Sequence, residues 1–597
     1  MSDLKSEKRI FTGLIIAMIL VGAAFIGNRI APFLLDNDNI YLKTVLSGEM
    51  TGTPEPHAYY IRFIFGGIAA GLYALTGNGI PWFGILMCLG MGSVIWYVSF
   101  EIARSCKRML SRIIAIVLCF LIVIFFFYTY FTAIQYTIVS GMLGSGAVFA
   151  FAMTRTESGV RENRLRLIAM AVFSLLSYSV RSDGFLMLLP FFGMVFAAKA
   201  TDLVDIKGIR KSGIRGEVKE KKREIGILFL CAFIPAVTLL VNMAVDKAAY
   251  SSEEWQSFDR YNEAHAEMVD YGGFPDYETY KNIYEKYGIT ETSYNALTGH
   301  YNLILDRNIN EESFTGLAKV RTQISPGVKE ILVNIFRRNL LEGTDRPLNI
   351  LVYWGYLTVF VLAIVTGKIR AIKDLACIFT ARMFDWCYLV YYGRYPYRVT
   401  QIIYLAELFL LIALFIGHRL WERKKEKITA KLRISPLFIV SIVFILFIVI
   451  RFGVPSTAKA VNTAKGFDWL STSFVELESY LEEHPDNFYF FDMSNLHYRE
   501  RALEFRSRPY ENYLYMGSWI TNSPWYNNKL KAEGIDDPAI ALIERDDLYI
   551  IYQVTDGYTR DFLDEYFEEH FPGAKVEKTY ELVTTNGFVY EFLQVSY

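Results

Sequence analysis

Long apolar stretches separated by short polar segments dominate the chain up to residue 452. Stretches of about 18 to 25 apolar residues can cross ~30 Å of hydrocarbon as helices. The pattern predicts about eleven spans, of which 167–180 and 185–200 are short for the purpose. The predicted spans are 10–34, 80–103, 113–133, 136–153, 167–180, 185–200, 225–247, 349–366, 374–391, 399–417 and 434–452.

One further apolar stretch, residues 61–77, does not fit the series as a span. Counting it would put the basic loop around Arg104 on the outside and invert every later loop. We therefore interpret it as a helix that lies in the outer interface or dips into the bilayer. The first external loop is accordingly predicted at about 35–80.

The Lys and Arg residues concentrate in alternate loops, which indicates the orientation of the chain. Basic clusters occur around Arg104–Arg112, Lys199–Arg223 and Arg419–Arg433, and the positive-inside rule places such loops in the cytoplasm. The N-terminus is then inside and the C-terminus outside. The sequence predicts a multi-pass protein of a cytoplasmic (plasma) membrane, with further external regions at about 248–348 and 453–597.

The external tail has the pattern of a small soluble domain. Its strand-like runs NFYFFDM, DLYIIYQV and GFVYEFLQV alternate with helix-like stretches at Trp469–Glu483 and Arg560–His570. Such alternation predicts an α/β domain. The chain is thus predicted to have two domains, a transmembrane domain at 1–452 and an extracytoplasmic α/β domain at 453–597.

The composition agrees with this class and adds two constraints. With 53% hydrophobic residues and a formal net charge of −1, the chain is too apolar for ordinary soluble domains, and we expect membrane lipids but no nucleic acid as partners. All six cysteines fall in predicted spans or cytoplasmic loops. The external regions are therefore predicted to contain no disulfide.

Two carboxylates, Asp36 and Asp38, follow the first apolar stretch in the sequence DND. A carboxylate beside low-dielectric material can act as a general base or bind a cation, so both are candidate catalytic residues. Glu55 and His57, in TGTPEPH of the same loop, are candidates for lining a substrate pocket. The alternatives are a solvated helix end for the aspartates and a proline-flanked loop without a catalytic role for the other two.

Two short turns between predicted spans on the outer side contain arginine. YSVRSDG places Arg181 and Asp183 in one turn, and YYGRYPYRV places Arg394 and Arg398 in another. Guanidinium groups bind phosphate bidentately, so these four are candidate substrate-binding residues, with Arg394 first. The alternative is that the arginines snorkel to the interface within a belt of tyrosines.

Charged residues also occur inside predicted spans. Arg382 and Asp385 are spaced i, i+3 on one predicted helix, and Glu407 lies in the next. Charges in hydrocarbon are costly and should face protein or a wet cavity. A functional group and a structural ion pair are equally compatible with this pattern. In the 248–348 region, a group of Arg260, Asn262 and Asp270 has no defined spacing rule behind it.

The layout resembles the membrane-integral glycosyltransferases of the GT-C superfold. The resemblance is carried by an inside N-terminus, one span, the external DND, the stretch TGTPEPH, the aromatic segment AYYIRFIFGGIAAGLYAL and a second span. It covers the layout of roughly the first 450 residues, but only short motifs in sequence.

The resemblance implies a GT-C-like fold and an enzyme of the hexosyl- or pentosyltransferase class. The donor would be a sugar on a polyprenyl phosphate lipid, and the acceptor an extracytoplasmic cell-envelope glycan, a glycolipid or a protein. The acid of the first external loop would lie at the active site. Asp36 and Asp38 can hold a divalent cation or act without one, so no cofactor or metal is assigned.

Two other classes of function remain open. A lipid-linked glycan transporter or flippase would also need many spans, but would more naturally show repeated halves, and no repeat is evident. A non-enzymatic envelope scaffold explains the external regions but not the carboxylates and arginine turns. A membrane-bound O-acyltransferase would need a histidine within the membrane, and all seven histidines lie outside confident spans.

Overall fold

A computed structural model gives the architecture of the chain. It describes residues 15, 32–35, 37–106, 109–204, 219–271, 273–320, 326–420, 436–492, 499–504, 511–555 and 559–597. Most of the predicted span 10–34 and most of the basic segments 199–223 and 419–433 lie outside the described residues.

The first half of the chain is almost entirely helical. A short parallel pair joins strand β1 (Phe33–Leu34) to strand β2 (Ala133–Ile134). The helices are α1 (Asn37–Ser47), α2 (Phe63–Thr76), α3 (Trp82–Ser105), α4 (Met109–Phe126), α5 (Tyr128–Thr132), α6 (Tyr136–Met153), α7 (Val160–Val180), α8 (Ser182–Leu186), α9 (Leu189–Leu203) and α10 (Lys222–Ala249).

The region predicted as a large external loop is also helical, and more helices follow it up to residue 483. A π-helical turn, Arg337–Leu341, extends the last short helix of this region, and a second one, Val449–Gly453, joins α19 to α20. The helices are α11 (Glu253–Tyr271), α12 (Tyr277–Lys286), α13 (Glu291–His300), α14 (Glu311–Val320), α15 (Val328–Phe336), α16 (Leu348–Val365), α17 (Arg370–Tyr391), α18 (Tyr397–Gly417), α19 (Pro436–Ile448) and α20 (Val454–Glu483).

The described residues contain seven helices long and apolar enough to cross a membrane. Each overlaps one of the predicted spans, in agreement with the prediction of a helical membrane protein, although Val443–Glu483 shares only residues 443–452 with the predicted span 434–452. The seven are Trp82–Ser105, Tyr136–Met153, Ser182–Leu203, Lys222–Ala249, Leu348–Val365, Tyr397–Gly417 and Val443–Glu483.

The predicted number of eleven spans is not confirmed. Beyond the undescribed 10–34, the stretch 113–133 forms only a shorter apolar helix. Helices α7 and α17, at the predicted spans 167–180 and 374–391, carry several charged residues and fall outside the seven. Helix α2 has 14 residues and is about 21 Å long, short of the ~30 Å that a span needs, in keeping with the interpretation of 61–77.

Helix α6 forms the centre of the bundle. It packs against α3, α7 and α18, and small residues allow this close approach. A Cβ on Gly141 would lie 2.5 Å from the Ile402 side chain, and one on Gly144 would lie 2.2 Å from Leu188. We call the end where α6 and α18 begin and α7 and α17 end the site end, and the opposite end the far end.

The tail folds around a five-stranded mixed sheet. Strands β3 (Phe488–Phe491), β4 (Tyr513–Tyr515), β5 (Leu548–Gln553), β6 (Lys575–Val583) and β7 (Val589–Ser596) are ordered β4-β3-β5-β7-β6. The first three are parallel and the last two antiparallel. Besides α20, the tail contains helices α21 (Pro524–Ala532), α22 (Pro538–Glu544) and α23 (Asp561–His570).

The three strand-like runs and two helix-like stretches predicted in the tail all form as expected, whereas β4 and β6 were not predicted. All six cysteines are unpaired.

The tail packs directly on the first loop and on the 248–348 region. The Leu34 N–H donates to Glu500 O at 2.8 Å, and the Trp525 indole donates to His57 O at 2.8 Å. The closest approach is at Gly517, where a Cβ would lie 1.6 Å from the Tyr301 carbonyl oxygen. Only glycine fits this contact, so the tail and the 248–348 region meet at backbone level.

Candidate functional site

The first loop is held at the site end by its own backbone. The Leu35 N–H donates to Ile134 O at 2.9 Å, and the Tyr136 N–H donates to Asn39 Oδ1 at 3.0 Å. These bonds place Asp38, in the first turn of α1 and partly buried, beside the start of α6. Asp36 lies outside the described residues.

Arg181 lies between α7 and α8 and is enclosed by aromatic rings. Its Nη1 donates to the Tyr136 hydroxyl at 2.8 Å, and its guanidinium carbon is 4.5 Å from the centre of the Tyr60 ring. Its Nη2 is 3.0 Å from Asp183 Oδ2. The Arg181 charge also interacts with Asp38. The structure therefore brings together Asp38, Arg181 and Asp183, which the sequence only proposed one by one.

Two tyrosines and a further carboxylate complete this group. Burial raises the pKa of Tyr60; Arg181 opposes that shift, and the carboxylates of Asp38 and Asp270 add to it. Burial also raises the pKa of Tyr301, and Tyr60, Asp270 and Asp38 contribute to the shift. These mutual interactions define a set of five residues, Asp38, Tyr60, Arg181, Asp270 and Tyr301, which we call the Asp38 cluster.

Arg394 joins the cluster through Asp270. The turn between α17 and α18 includes Gly393 in the left-handed region with φ +70°, and the next residue, Arg394, places Nη1 2.6 Å from Asp270 Oδ2. Its guanidinium carbon also lies 5.1 Å from the Tyr271 ring centre. Arg398 is partly buried in the first turn of α18, at the same end of the bundle.

The group Arg260, Asn262 and Asp270 is divided by the structure. Asn262 is buried and its Nδ2 donates to the Tyr60 hydroxyl at 3.4 Å, so it joins Asp270 at the cluster. Arg260 instead pairs with Glu311 at 2.5 Å. Helix α11 thus places Asn262 and Asp270 at the Asp38 cluster and Arg260 against Glu311. The spacing of these residues along the sequence could not predict this division.

Glu55 and His57 make a different set of contacts. His57 Nδ1 is 2.5 Å from Glu55 Oε1, and its ring stacks on Trp255 with centroids 5.5 Å apart. Burial raises the pKa of Glu55, but hydrogen bonds from His57 outweigh it and hold the pKa below its usual value. His57 Nε2 also lies 3.2 Å from Ala249 O. These contacts fasten the first loop to the junction of α10 and α11.

The tail forms one wall of the Asp38 cluster. The Trp519 ring centroid is 4.5 Å from that of Tyr60 and 6.3 Å from that of Tyr41. On the other side, the Leu303 N–H donates to Met516 O at 2.9 Å. The tail therefore contacts Tyr60, the same ring that Arg181 contacts, and helps to fix the position of that ring.

Tyr301 is held by a neutral histidine. Its hydroxyl is 2.7 Å from His265 Nε2, and burial lowers the pKa of His265 to about 4. A neutral imidazole has one donating and one accepting nitrogen, so Tyr301 and His265 share one hydrogen bond in either tautomer.

This arrangement offers the components of acid–base and anion chemistry. Asp38 can accept a proton, and Arg181 and Arg394 can bind an anion. In the part of the chain that the structure describes, no group of three or more His, Cys, Asp or Glu side chains could hold a metal ion. Asp36 lies outside the described residues, so a divalent cation at DND stays as open as the sequence leaves it.

The charges inside the spans pair across two helices. Arg382 Nη1 is 2.5 Å from Glu407 Oε2, and the Tyr356 hydroxyl donates to Glu407 Oε1 at 2.6 Å. Arg382 also lies against the rings of Tyr353 and Tyr404. Its partner is thus Glu407 of α18 rather than Asp385 of its own helix, which favours the structural interpretation.

A second polar site lies at the far end. A cavity of about 920 Å³ opens there between the ends of α3, α6, α9 and α18 and the starts of α7 and α17. Its wall includes a bidentate pair in which Arg166 Nη2 donates to Glu101 Oε2 at 2.8 Å. Lys199 donates to Thr154 O at 2.8 Å. The tight packing at Gly141 and Gly144 lies between this cavity and the Asp38 cluster.

Three residues of the site carried no usable signal in the sequence. Tyr60 and Tyr301 are two of 40 tyrosines, and Trp519 belongs to a domain more than 400 positions away. The role of an aromatic residue in a loop can be assigned only after the fold shows which residues it contacts.

No protein-family model, curated protein or solved structure matches this chain. The functional argument therefore rests on the residues and geometry described above.

Proposed function

We propose that this protein is a GT-C-like membrane glycosyltransferase with about eleven spans. It moves a sugar from a polyprenyl-phosphate-linked donor to an extracytoplasmic acceptor, which is a cell-envelope glycan, a glycolipid or a protein. The observation that carries the proposal is the Asp38 cluster, where a first-loop carboxylate and Arg181 meet at one end of the helical bundle. Arg394 joins them through Asp270.

An inverting transfer needs few protein groups. A carboxylate of DND takes the proton of the acceptor hydroxyl while that oxygen bonds to the anomeric carbon of the sugar. The bond between the anomeric carbon and the phosphate oxygen breaks, and the electron pair leaves with the polyprenyl phosphate. Arg181 and Arg394 stabilise the negative charge of the leaving phosphate. We assign the base to Asp36 and the positioning of the acceptor or a cation to Asp38.

Arg394 is paired with Asp270, and this contact suggests how phosphate binds. A carboxylate on a guanidinium occupies the position that a phosphate oxygen would take. Donor binding would then exchange Asp270 for the phosphate group. Incubation of the purified protein with a polyprenyl-phosphate hexose and candidate acceptors, with release of polyprenyl phosphate as the readout, tests the proposal. No release with any acceptor of the three classes would count against it.

Substitution of Arg394 tests the phosphate site separately from catalysis. Arg394→Ala should weaken binding of polyprenyl phosphate, measured in nanodiscs, by about 10- to 100-fold, since a hydrogen bond to a charged group contributes ~1.5–3 kcal/mol. The affinity of Arg394→Lys for polyprenyl phosphate should lie between those of Arg394→Ala and the wild type. Lysine keeps the positive charge but lacks the two parallel N–H donors of the guanidinium.

A matched control for Arg394 is Arg370→Ala, an exposed arginine at the other end of the same helix, which should bind like wild type. Unchanged affinity in both Arg394 variants would assign this residue to anchoring at the interface.

The proposal also fixes an orientation, with the site end outside. In a cysteine-free background, Thr53→Cys and Asn528→Cys, both at exposed positions, should react with a membrane-impermeant maleimide in intact cells. Lys222→Cys, exposed at the far end, should react only after permeabilisation. Labelling of Lys222→Cys alone in intact cells would reverse the topology.

Transport of a lipid-linked glycan is the second candidate, because the far-end cavity provides a polar site at the opposite membrane face. The packed centre around α6 separates the two sites in this conformation, which favours a transferase. Movement of a fluorescent polyprenyl-phosphate sugar across proteoliposomes, without loss of the sugar, would support transport instead.

A further inference from the structure

The segment that follows Gly327 exposes many apolar side chains. Six apolar side chains of α15 and its π-helical extension are each more than half exposed. They are Val328, Leu332, Val333, Phe336, Leu340 and Leu341. Val328, Leu332, Phe336 and Leu340 are spaced by four residues, so they form one face.

Two polar residues of the same segment, Arg338 and Asn339, face inward, whereas Lys329, Glu330 and Arg337 are exposed. Arg338 is 8% exposed, and its Nε lies 3.2 Å from Asp345 Oδ2. Asn339 is equally buried, and its Oδ1 accepts hydrogen bonds from the Tyr353 hydroxyl at 3.0 Å and the Tyr404 hydroxyl at 3.0 Å. An aqueous surface would favour the opposite arrangement.

The partners of Asn339 also indicate its depth in the bundle. Tyr353 and Tyr404 lie in the second turns of α16 and α18, counted from the site end. Arg382, which donates to Asn339 Oδ1, lies nine residues from the site end of α17. At 1.5 Å per residue, these positions are about 8 to 13 Å below the helix ends, within the ~15 Å half-thickness of the hydrocarbon.

We propose that residues 328–341 form a re-entrant segment whose apolar face contacts the lipid acyl chains of the leaflet at the site end. The sequence alone placed this segment in an external aqueous loop. Helix α15 packs against α17, whose Phe384 and Tyr388 are likewise exposed, so the two helices present one continuous apolar surface. Re-entrant backbone at such depth is tolerated where the protein satisfies its polar groups, as it does through Arg338 and Asn339.

The occupant is the acyl chains rather than a second protein copy, because α17 and the long apolar helix α16 on the same side already present exposed apolar side chains to the membrane. The proposal does not depend on the transferase activity.

Nitroxide labels provide the test in full-length, cysteine-free protein reconstituted into phosphatidylcholine and phosphatidylglycerol vesicles. Leu332→Cys and Phe336→Cys, once labelled, should collide with oxygen and be shielded from a water-soluble nickel chelate. Their oxygen-to-nickel collision ratio should exceed that of labelled Thr298→Cys several-fold and approach that of Val443→Cys. Thr298 is an exposed position of α13, and Val443 is an exposed apolar position of α19.

Two outcomes would overturn the proposal. A ratio at residues 332 and 336 equal to that at 298 would place the segment in water. Dipolar broadening that disappears on dilution with unlabelled protein would assign the face to a second copy.

Wild-type protein gives a measurement that needs no variant. Phosphatidylcholine with a diazirine near the end of one acyl chain should leave adducts on the peptide containing 328–341 after irradiation. Adducts on α16 and α17 but none on this peptide would also contradict the inference.

Discussion

Replacing either carboxylate of DND with asparagine is expected to reduce sugar transfer by about 10²- to 10⁴-fold, the usual cost of removing a general base. Asparagine keeps the shape of Asp36 or Asp38 but accepts no proton. Protein abundance and binding of polyprenyl phosphate should remain near wild type, because neither carboxylate is assigned to the phosphate. Transfer is measured as loss of label from a polyprenyl-phosphate hexose.

A surface aspartate provides the matched control for this experiment. Asp536→Asn, at an exposed position of the tail, should transfer sugar at the wild-type rate. Transfer within a few-fold of wild type for Asp36→Asn, Asp38→Asn and the double variant would remove the catalytic assignment of DND. The proposed phosphate site would still be tested separately, by the binding measurements on the Arg394 variants.

Glu407→Leu is expected to lower the free energy of unfolding by about 3–5 kcal/mol, because it leaves the buried guanidinium of Arg382 without its counter-charge. Arg382 and Glu407 are 6% and 0% exposed. Arg382→Met should cost less, since the remaining carboxyl can take up a proton whereas a guanidinium cannot lose one. Unfolding of the purified protein in detergent by chemical denaturant gives the comparison.

The double variant Arg382→Met/Glu407→Leu separates an ion pair from a packing effect. Removing both charges should restore much of the stability lost in Glu407→Leu. A double variant as unstable as the sum of the two single changes would mean that the side chains contribute by shape alone.

Hydrophobic periodicity predicted the helices and strands of this fold better than it predicted the contacts between them. The runs NFYFFDM, DLYIIYQV and GFVYEFLQV each became a strand, because local alternation and β-branched or aromatic content are properties of a few neighbouring residues. Strand β6 was not predicted, even though apolar and polar residues alternate in KVEKTYELV. Most of its side chains are exposed, so its hydrophobic pattern is weak. The predicted spans at α7 and α17 stay unconfirmed, because the charged residues of these two helices lower their hydropathy.

The candidate site was predictable only in part. Arg181 and Asp38 could be proposed from position, because arginine and acid next to a span are unusual. Asp270 became meaningful only through its contact with Arg394, 124 positions further along. The inward orientation of the Arg338 and Asn339 side chains likewise depends on contacts with α16, α17 and α18. The local sequence pattern could therefore only place residues 328–341 in a loop.

The contact between His57 and Trp525 has a consequence for how the protein is made. The two residues are 468 positions apart in the chain, so at ~5–20 residues per second a ribosome needs about 25 to 95 s to connect them. Throughout that interval the first loop lacks the tail residues that pack on it, including Trp519 beside Tyr60. The Asp38 cluster therefore has all of its packing partners only after the C-terminal part of the chain has been synthesised.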